Sequence, residues 1–349
     1  ACLCNMGQTA GCAGLLRPPE ELNESDEKPR LRRRLSLVSK LVDTKGTDDL
    51  TKAGYSDSNL NPEETKAKAH MKCGVRTRKG KVPGNPNKVN QDRFIVKWGL
   101  KGVQDVALFG AFDGHGPQGH VISQYVVDNL PKYLEAQENL VKDPTAAILE
   151  ANKKLCARLT ADKKETERYS GTTAVYGLKV GNKLYVANIG DSRCVVCTRV
   201  GLESFATVAL SEDHKPEDPE EKRRILAAGG RVHPLKGFYG NQGPHRVWLA
   251  KEDIPGLAMS RSIGDALAHS VGVSDIPDIQ VHEIHSTDKF AVWASDGVWD
   301  FISNKEVAMI CQANAPDMDG AAATIVNHAC KMWEQNEGVI DDITCVVVQ

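Results

Sequence analysis

The 349-residue chain has little of what marks several large protein classes. Aromatic residues make up 5% of it, so no aromatic-rich platform for sugars is apparent. Neither charge dominates. With 44 Lys and Arg against 46 Asp and Glu, the formal net charge is −2, which disfavours a nucleic-acid partner recognised through a basic surface. No stretch approaches the roughly 18 consecutive apolar residues of a transmembrane helix. A secretory h-region is also missing from the start, so a reducing, cytoplasmic setting is expected. Zinc-type clusters are absent too. Cys194-Val-Val-Cys197 has zinc-like spacing, yet no second pair completes four ligands. The ten cysteines are therefore expected to be ordinary thiols, in a chain long enough to fill a core without disulfides.

What is present divides the chain. Residues 1–67 are Gly- and Cys-rich, then acidic over 20–27, basic over 28–34 and polar beyond, with one short apolar patch at Leu35-Ser36-Leu37-Val38. Such a composition buries little surface. It reads as an N-terminal arm for docking or targeting, a tether to membrane or cytoskeleton. Arg32-Arg33-Arg34-Leu35-Ser36 resembles a site for basophilic kinases. Residues 68–349 read as one large catalytic domain.

Within that domain, Val121, Ile122, Tyr125, Val126 and Leu130 recur at helical period. Asp143-Pro144 announces a second helix, and Ser303-Asn304-Lys305-Glu306 opens another with a capping box. Apolar runs at 105–112, 172–180, 183–189, 194–198, 204–210, 290–295 and 343–348 predict strands. Gly181-Asn182 and Val200-Gly201 join two pairs of them as hairpins. Hairpins outnumber helix-separated pairs, so the expected class is α+β, with antiparallel sheets covered by helices.

Acids recur at the ends of these strands. Asp113, Asp191 and Asp296 follow apolar runs within glycine-containing turns, and Asp341 precedes the last strand. Each alone suits a turn cap. Together with Asp92 and Asp300 they suggest one cleft, where converging carboxylates repel unless a cation sits among them. A set of oxygen ligands favours Mg²⁺ or Mn²⁺ over zinc. Two such ions, about 3.5–4 Å apart, suit phosphoryl hydrolysis. His115, between Gly114 and Gly116, is a candidate general acid.

Five motifs then appear in order: Phe112-Asp113-Gly114-His115-Gly116, Ser170-Gly171-Thr172-Thr173-Ala174, Ala187-Asn188-Ile189-Gly190-Asp191-Ser192-Arg193, Leu257-Ala258-Met259-Ser260-Arg261-Ser262-Ile263-Gly264-Asp265 and Ala294-Ser295-Asp296-Gly297-Val298-Trp299-Asp300. Together they resemble the type-2C metal-dependent protein serine/threonine phosphatases, in detail the plant and protist members, from about Gly74 to Gln349. The resemblance implies an α-β-β-α sandwich with Mg²⁺ or Mn²⁺ at one edge, two ions and, in some members, a third. Asp113 would bridge the pair, Asp296 and Asp341 would complete one ion, and the Gly114 carbonyl and Gln91 would serve the other. Asp191 and Asp300, with Asp296, would hold the weaker third. His115 would act as general acid, Asp92 would orient water, and Lys88 would replace a phosphate-binding arginine.

Two departures stand out. Gln91 occupies a position where the family often has Glu, and Asp342 one where it has Asn. The stretch from His214 to Pro255 would include a variable flap that sets substrate choice. The implied activity is hydrolysis of phosphoserine and phosphothreonine in proteins by metal-activated water, without a phosphoenzyme, by a monomeric catalytic domain. The alternative is a catalytically weak adaptor on the same fold. A two-metal nuclease or glycosidase fits less well, for want of a basic groove or a sugar platform.

Overall fold

Strands rich in Val, Ile and aromatic residues, closed by short turns, pair with their sequence neighbours and build sheets from hairpins. The computed structural model describes residues 71–163, 166–201, 204–237 and 240–349. The expected arm, its Ser36 and its tethering role lie outside the described residues. The first half contains β1 (Cys73–Arg78), β2 (Arg93–Trp98), β3 (Val106–Phe112), β4 (Gly114–His115), α1 (Gly119–Glu135), α2 (Pro144–Lys163), β5 (Gly171–Thr172), β6 (Ala174–Val180), β7 (Lys183–Ile189), β8 (Arg193–Arg199) and β9 (Phe205–Ala209). The second half contains α3 (Pro219–Ala227), β10 (Arg231–Gly237), β11 (Gly240–Trp248), β12 (Pro255–Leu257), β13 (Ile263–Gly264), α4 (Ala266–His269), β14 (Asp278–Glu283), β15 (Asp288–Ala294), α5 (Asp296–Trp299), α6 (Asn304–Asn314), α7 (Met318–Asn336) and β16 (Ile343–Val348).

Two five-stranded sheets, ordered β14-β7-β6-β3-β2 and β1-β16-β15-β8-β9, form the centre. Their ladders are antiparallel throughout. Alternation along each strand decides which layer a side chain enters. Leu108 and Tyr176 pack with Ile122, Leu130, Ile148 and Leu155 of α1 and α2. The adjacent Phe109 turns the other way, against Val196, Trp293 and Val346 between the sheets. Val292 and Val347 face Val307, Ile325 and Trp333 of α6 and α7. Both faces of each sheet are thus covered, which is why β3 and β16 are buried along their whole length. The layers are α-β-β-α, as the resemblance implied.

The same alternation disposes of the zinc-like cysteine pair. Cys194 and Cys197 are three residues apart on β8 and point to opposite faces, one between the sheets and the other toward α6 and α7. Both are free and buried, and burial pushes their thiols up, that of Cys197 to about 12.

Local signals hold where chemistry is explicit. The Asp143 carboxylate accepts from Ala146 N at 3.1 Å, and Ser303 and Glu306 make the reciprocal capping box. The run 172–180 is not one strand, however. It breaks at Thr173 into β5 and β6, because Thr173 N donates to the Asp113 carbonyl at 2.8 Å instead of continuing the ladder. Edge strands β1, β2 and β14 were not apparent in the sequence. Their polar or charged residues blunt an exposed edge and weaken the apolar signal.

Close packing sets one stability prediction. A Cβ on Gly74 of β1 would lie 2.0 Å from the Met318 carbonyl carbon at the start of α7. Backbone meets backbone there, with no flexible side chain to give way. Gly74→Ala is expected to lower stability by roughly 3 kcal/mol or more, read as a shift of the urea midpoint. An unchanged midpoint would refute this tight contact.

Candidate metal centre and catalytic cleft

Strand register collects the acids. Arg93 pairs with Phe112, so Asp92, just before β2, lies beside Asp113, just after β3. Ala294 pairs with Cys345 on one side and Arg193 on the other. That places Ser295-Asp296 beside Asp341-Asp342 and brings the turn carrying Asp191 to the same edge. Antiparallel neighbours alternate in direction, so acids that follow some strands and precede others meet at one end of the sandwich. Asp300 lies one helical turn beyond Asp296, its N–H donating to the Asp296 carbonyl at 2.9 Å.

The centre of this edge is buried and acidic. Asp92 is 1% exposed, and its Oδ2 accepts from Ser295 Oγ at 2.8 Å. Ser295 Oγ in turn accepts from Thr344 N at 3.0 Å. Burial, followed by repulsion from Asp113 and Asp342, pushes the Asp92 carboxyl well above the ordinary carboxylate range. Asp341 is raised to about 7, first by burial and also by Asp113 and Asp342, against the opposing pull of Lys88. Asp296 is buried beside them. Gly114 is confined: a Cβ there would lie 2.5 Å from the Gln91 carbonyl oxygen and 2.7 Å from that of Gly119.

This donor set suits a hard divalent cation. Its ligands are oxygen, and its carboxylates disfavour one another's charge until a cation joins them. Among the described residues, no three His, Cys, Asp or Glu side chains stand ready around one ion. Mg²⁺ does not need them, since it keeps several waters and binds through one or two carboxylates.

Asp342 organises the rim. Its Oδ1 accepts from Gly80 N at 2.7 Å, and its Oδ2 from Gln91 N at 2.9 Å. Lys88 Nζ lies 2.5 Å from Oδ2. All these partners are donors, so a carboxylate serves where an asparagine would turn its own NH₂ toward one of them. Burial opposes the charge on Lys88, but Asp342 and Asp341 outweigh it and hold the ammonium above the usual lysine range. Gln91 is also explained: its Nε2 donates to the Gly116 carbonyl at 2.8 Å, which a glutamate cannot do.

His115 lies on a small sheet of its own, ordered β13-β5-β4. Its Nε2 meets Asp265 Oδ2 at 2.5 Å. Asp265 is buried and adopts left-handed backbone, φ 49°. Gly171 makes room for it, since a Cβ there would stand 2.2 Å from Asp265 Oδ2.

A carboxylate cluster, a cation on its rim and a carboxylate-held histidine are the parts of a phosphoryl hydrolase. The Protein phosphatase 2C family matches this chain over residues 83–338. The chain belongs to the protein phosphatase 2C family. It is 40% identical over 269 residues to Probable protein phosphatase 2C 61 of Arabidopsis thaliana, covering 74% of this chain and 79% of that one. It is 38% identical over 269 residues to Probable protein phosphatase 2C 64 of Oryza sativa subsp. japonica, covering 74% and 62% respectively. The fold is shared with the crystal structure of serine-threonine phosphatase 2C from Toxoplasma gondii, at TM-score 0.70 and 22% identity over 80% of this chain and 94% of that one. This phosphatase 2C is accordingly a metal-dependent protein serine/threonine phosphatase, and its substrates are phosphoproteins.

Within the phosphatase, Asp92, Asp113, Asp341 and Lys88 act on one another electrostatically, with Asp296 next to Ser295 in the same group. Asp191 lies in the adjoining turn, where Lys215 Nζ is 2.6 Å from its Oδ2. Several residues escaped the sequence reading. Thr173 accepts at Oγ1 from Asp113 N at 3.0 Å and shares a hydrogen bond with Ser192 Oγ at 2.7 Å, linking the turns of Asp113 and Asp191. Asp265 closes the fourth of the ordered motifs, but its partner is 150 residues away. His214 and Lys215 stand at the start of the stretch expected to include the flap. They bind the Gly190-Asp191 turn, and the separate three-stranded sheet β10-β11-β12 follows within that stretch, from Arg231.

The raised carboxyl of Asp341 has a measurable sign. Metal-free folded protein keeps a proton there up to about pH 7, whereas the unfolded chain loses it near 4. Folding binds the proton, so this contribution is complete below about pH 4 and is lost as pH rises through 7. In excess chelator, the stability of Asp341→Asn relative to wild type is therefore expected to grow as pH rises from about 4 to about 7 and then to level off. Urea midpoints of the two proteins measure this, and a pH-independent difference would contradict the assignment.

Proposed function

We propose that the phosphatase holds two divalent cations, Mg²⁺ or Mn²⁺, on Asp113, Asp296, Asp341 and the Gly114 carbonyl. With them it hydrolyses phosphoserine and phosphothreonine by direct attack of water. The observation that carries this reading is the carboxylate group Asp92-Asp113-Asp341, in which Asp113 raises the affinity of both Asp92 and Asp341 for positive charge, beside Lys88 and His115. Divalent ions bound there supply a lowered water pKa and positive charge on the phosphoryl oxygens.

The chain's own residues supply the rest. Asp92, its plane fixed by Ser295, orients the attacking water through Oδ1, an atom without a hydrogen-bond partner among the described residues. Lys88, held by Asp342, draws a phosphoryl oxygen as a point charge rather than a two-pronged fork. His115, held by Asp265, protonates the departing serine or threonine oxygen. The β10-β11-β12 sheet serves substrate choice. The catalytic domain acts as a cytoplasmic monomer, with residues 1–67 as its tether.

Titration of the purified protein with Mn²⁺ against a phosphothreonine peptide tests the reading. Saturable turnover is expected. No turnover at any Mn²⁺ concentration would overturn it and leave a non-catalytic adaptor.

A further inference from the structure

We infer that the basic strip Arg78-Lys79-Gly80-Lys81, which runs onto the cleft rim at Lys88, selects phosphoprotein segments that carry Asp or Glu close to the phosphorylated serine or threonine. It rests on the proposed phosphatase reading and deepens it.

Residues 71–91 hold six Lys or Arg and no Asp or Glu, in a chain whose 44 positive and 46 negative side chains nearly cancel. Strand pairing carries this segment to the metal edge and fixes it there. Thr77 pairs with Thr344 and Arg78 with Ile343 on β16, directly after Asp341-Asp342. Lys81 N donates to the Ile340 carbonyl at 2.7 Å, and Ile340 N donates back to the Lys81 carbonyl at 2.8 Å. Between these two attachments, Gly80 N donates to Asp342 Oδ1 at 2.7 Å. Only glycine fits at this point: a Cβ would lie 2.3 Å from the Ile340 carbonyl oxygen and 2.6 Å from that of Asp341. Asn90 Nδ2 closes the loop by donating to Thr77 Oγ1 at 2.9 Å.

The backbone is thus held against the acids, while the side chains that flank Gly80 face solvent. Arg78, Lys79 and Lys81 are exposed. Arg78 NH1 donates to the neutral Asn327 Oδ1 of α7 at 3.3 Å, and none of the three forms an ion pair among the described residues. Lys88, by contrast, is 17% exposed and bound to Asp342. One loop therefore presents a held cation for the phosphoryl group and three exposed ones beside it. The Cα atoms of Lys79 and Lys81 lie about 3.8 Å from that of Gly80, which itself abuts Asp341. An extended substrate advances about 3.3–3.6 Å per residue, so it meets these cations within a few residues of its phosphate. Acidic side chains there are attracted by positive charge that no neighbour cancels, which raises the rate of productive encounter. A peptide is favoured over nucleic acid or a lipid surface because the strip ends at the catalytic rim, and because the whole chain carries a net charge of −2.

Steady-state kinetics of the full chain with Mn²⁺, on matched phosphothreonine peptides flanked by Glu, Gln or Lys, give the test. At low ionic strength kcat/KM is expected to favour the Glu peptide over the Gln peptide by roughly tenfold, the sum of two or three exposed pairs, with the Lys peptide poorest. In ~0.5 M salt screening should collapse this preference, a measurement that needs no variant. Arg78→Gln, Lys79→Gln and Lys81→Gln together should erase it, and Lys79→Glu with Lys81→Glu should reverse the order so that the Lys peptide leads. Damage to folding moves all three peptides together, so their ratio separates selection from stability. Equal kcat/KM for the Glu and Gln peptides in wild type, or a preference that survives the triple replacement, overturns the inference and leaves the phosphatase reading standing. A triple variant that loses binding to phosphatidylserine vesicles while its peptide ratio is unchanged also overturns it, and assigns the strip to a membrane. Absence of turnover on every peptide overturns the phosphatase reading and the inference with it.

Discussion

Asp113→Asn and Asp296→Asn are each expected to cut Mn²⁺-dependent turnover of a phosphothreonine peptide by roughly 1,000-fold, about 4 kcal/mol of barrier. Both side chains are nearly isosteric with the originals, so packing is little disturbed, yet each change removes a negative charge from a group whose purpose is to hold cations. Asp113 sits between Asp92 and Asp341 in the electrostatics of the edge and raises both of them. Its loss therefore weakens cation binding and also relieves repulsion among the remaining acids. The paired measurements are the steady-state rate at saturating Mn²⁺ and the urea midpoint in chelator. Lost turnover with an unchanged or higher midpoint is the expected combination. Near wild-type rates in either variant would sink the assignment of these residues as metal ligands.

The second large effect concerns the leaving group. His115→Asn is expected to slow hydrolysis of the phosphothreonine peptide by ~10²–10⁴-fold, the usual contribution of a positioned acid. Hydrolysis of 4-nitrophenyl phosphate should fall far less, because nitrophenolate departs without a proton. Asp265→Asn should move the same ratio in the same direction by a smaller amount. It keeps the shape but gives up the charge that orients the ring at 2.5 Å. Equal losses on both substrates would show that His115 and Asp265 serve the architecture of the small β13-β5-β4 sheet and not proton transfer.

These expectations differ in how far the sequence alone could reach them. Asp113, Asp191, Asp296 and Asp341 were visible because strand ends are marked by apolar runs, and glycine turns mark where the chain reverses. The capping box and hairpins were visible for the same reason, since the groups that make them are adjacent in sequence. Edge strands β1, β2 and β14 were not, because an exposed edge carries polar residues that dilute the period. Asp342 stood out in the sequence only as an exchange for asparagine. Its meaning lies in Lys88, Gly80 and Gln91, more than 250 residues upstream.

Sequence by itself determined the class of fold, the family and the candidate acids, because each follows from local order: the period of apolar residues, the turns between strands and motifs of fixed spacing. The tertiary structure decided which groups touch. It gave His115 its carboxylate in Asp265, Lys88 its anchor in Asp342 and Asp191 its ammonium in Lys215, and it separated Cys194 from Cys197 by the width of a strand. Charge interactions depend on distance and burial in space, and neither quantity is encoded in how far apart two residues lie along the chain.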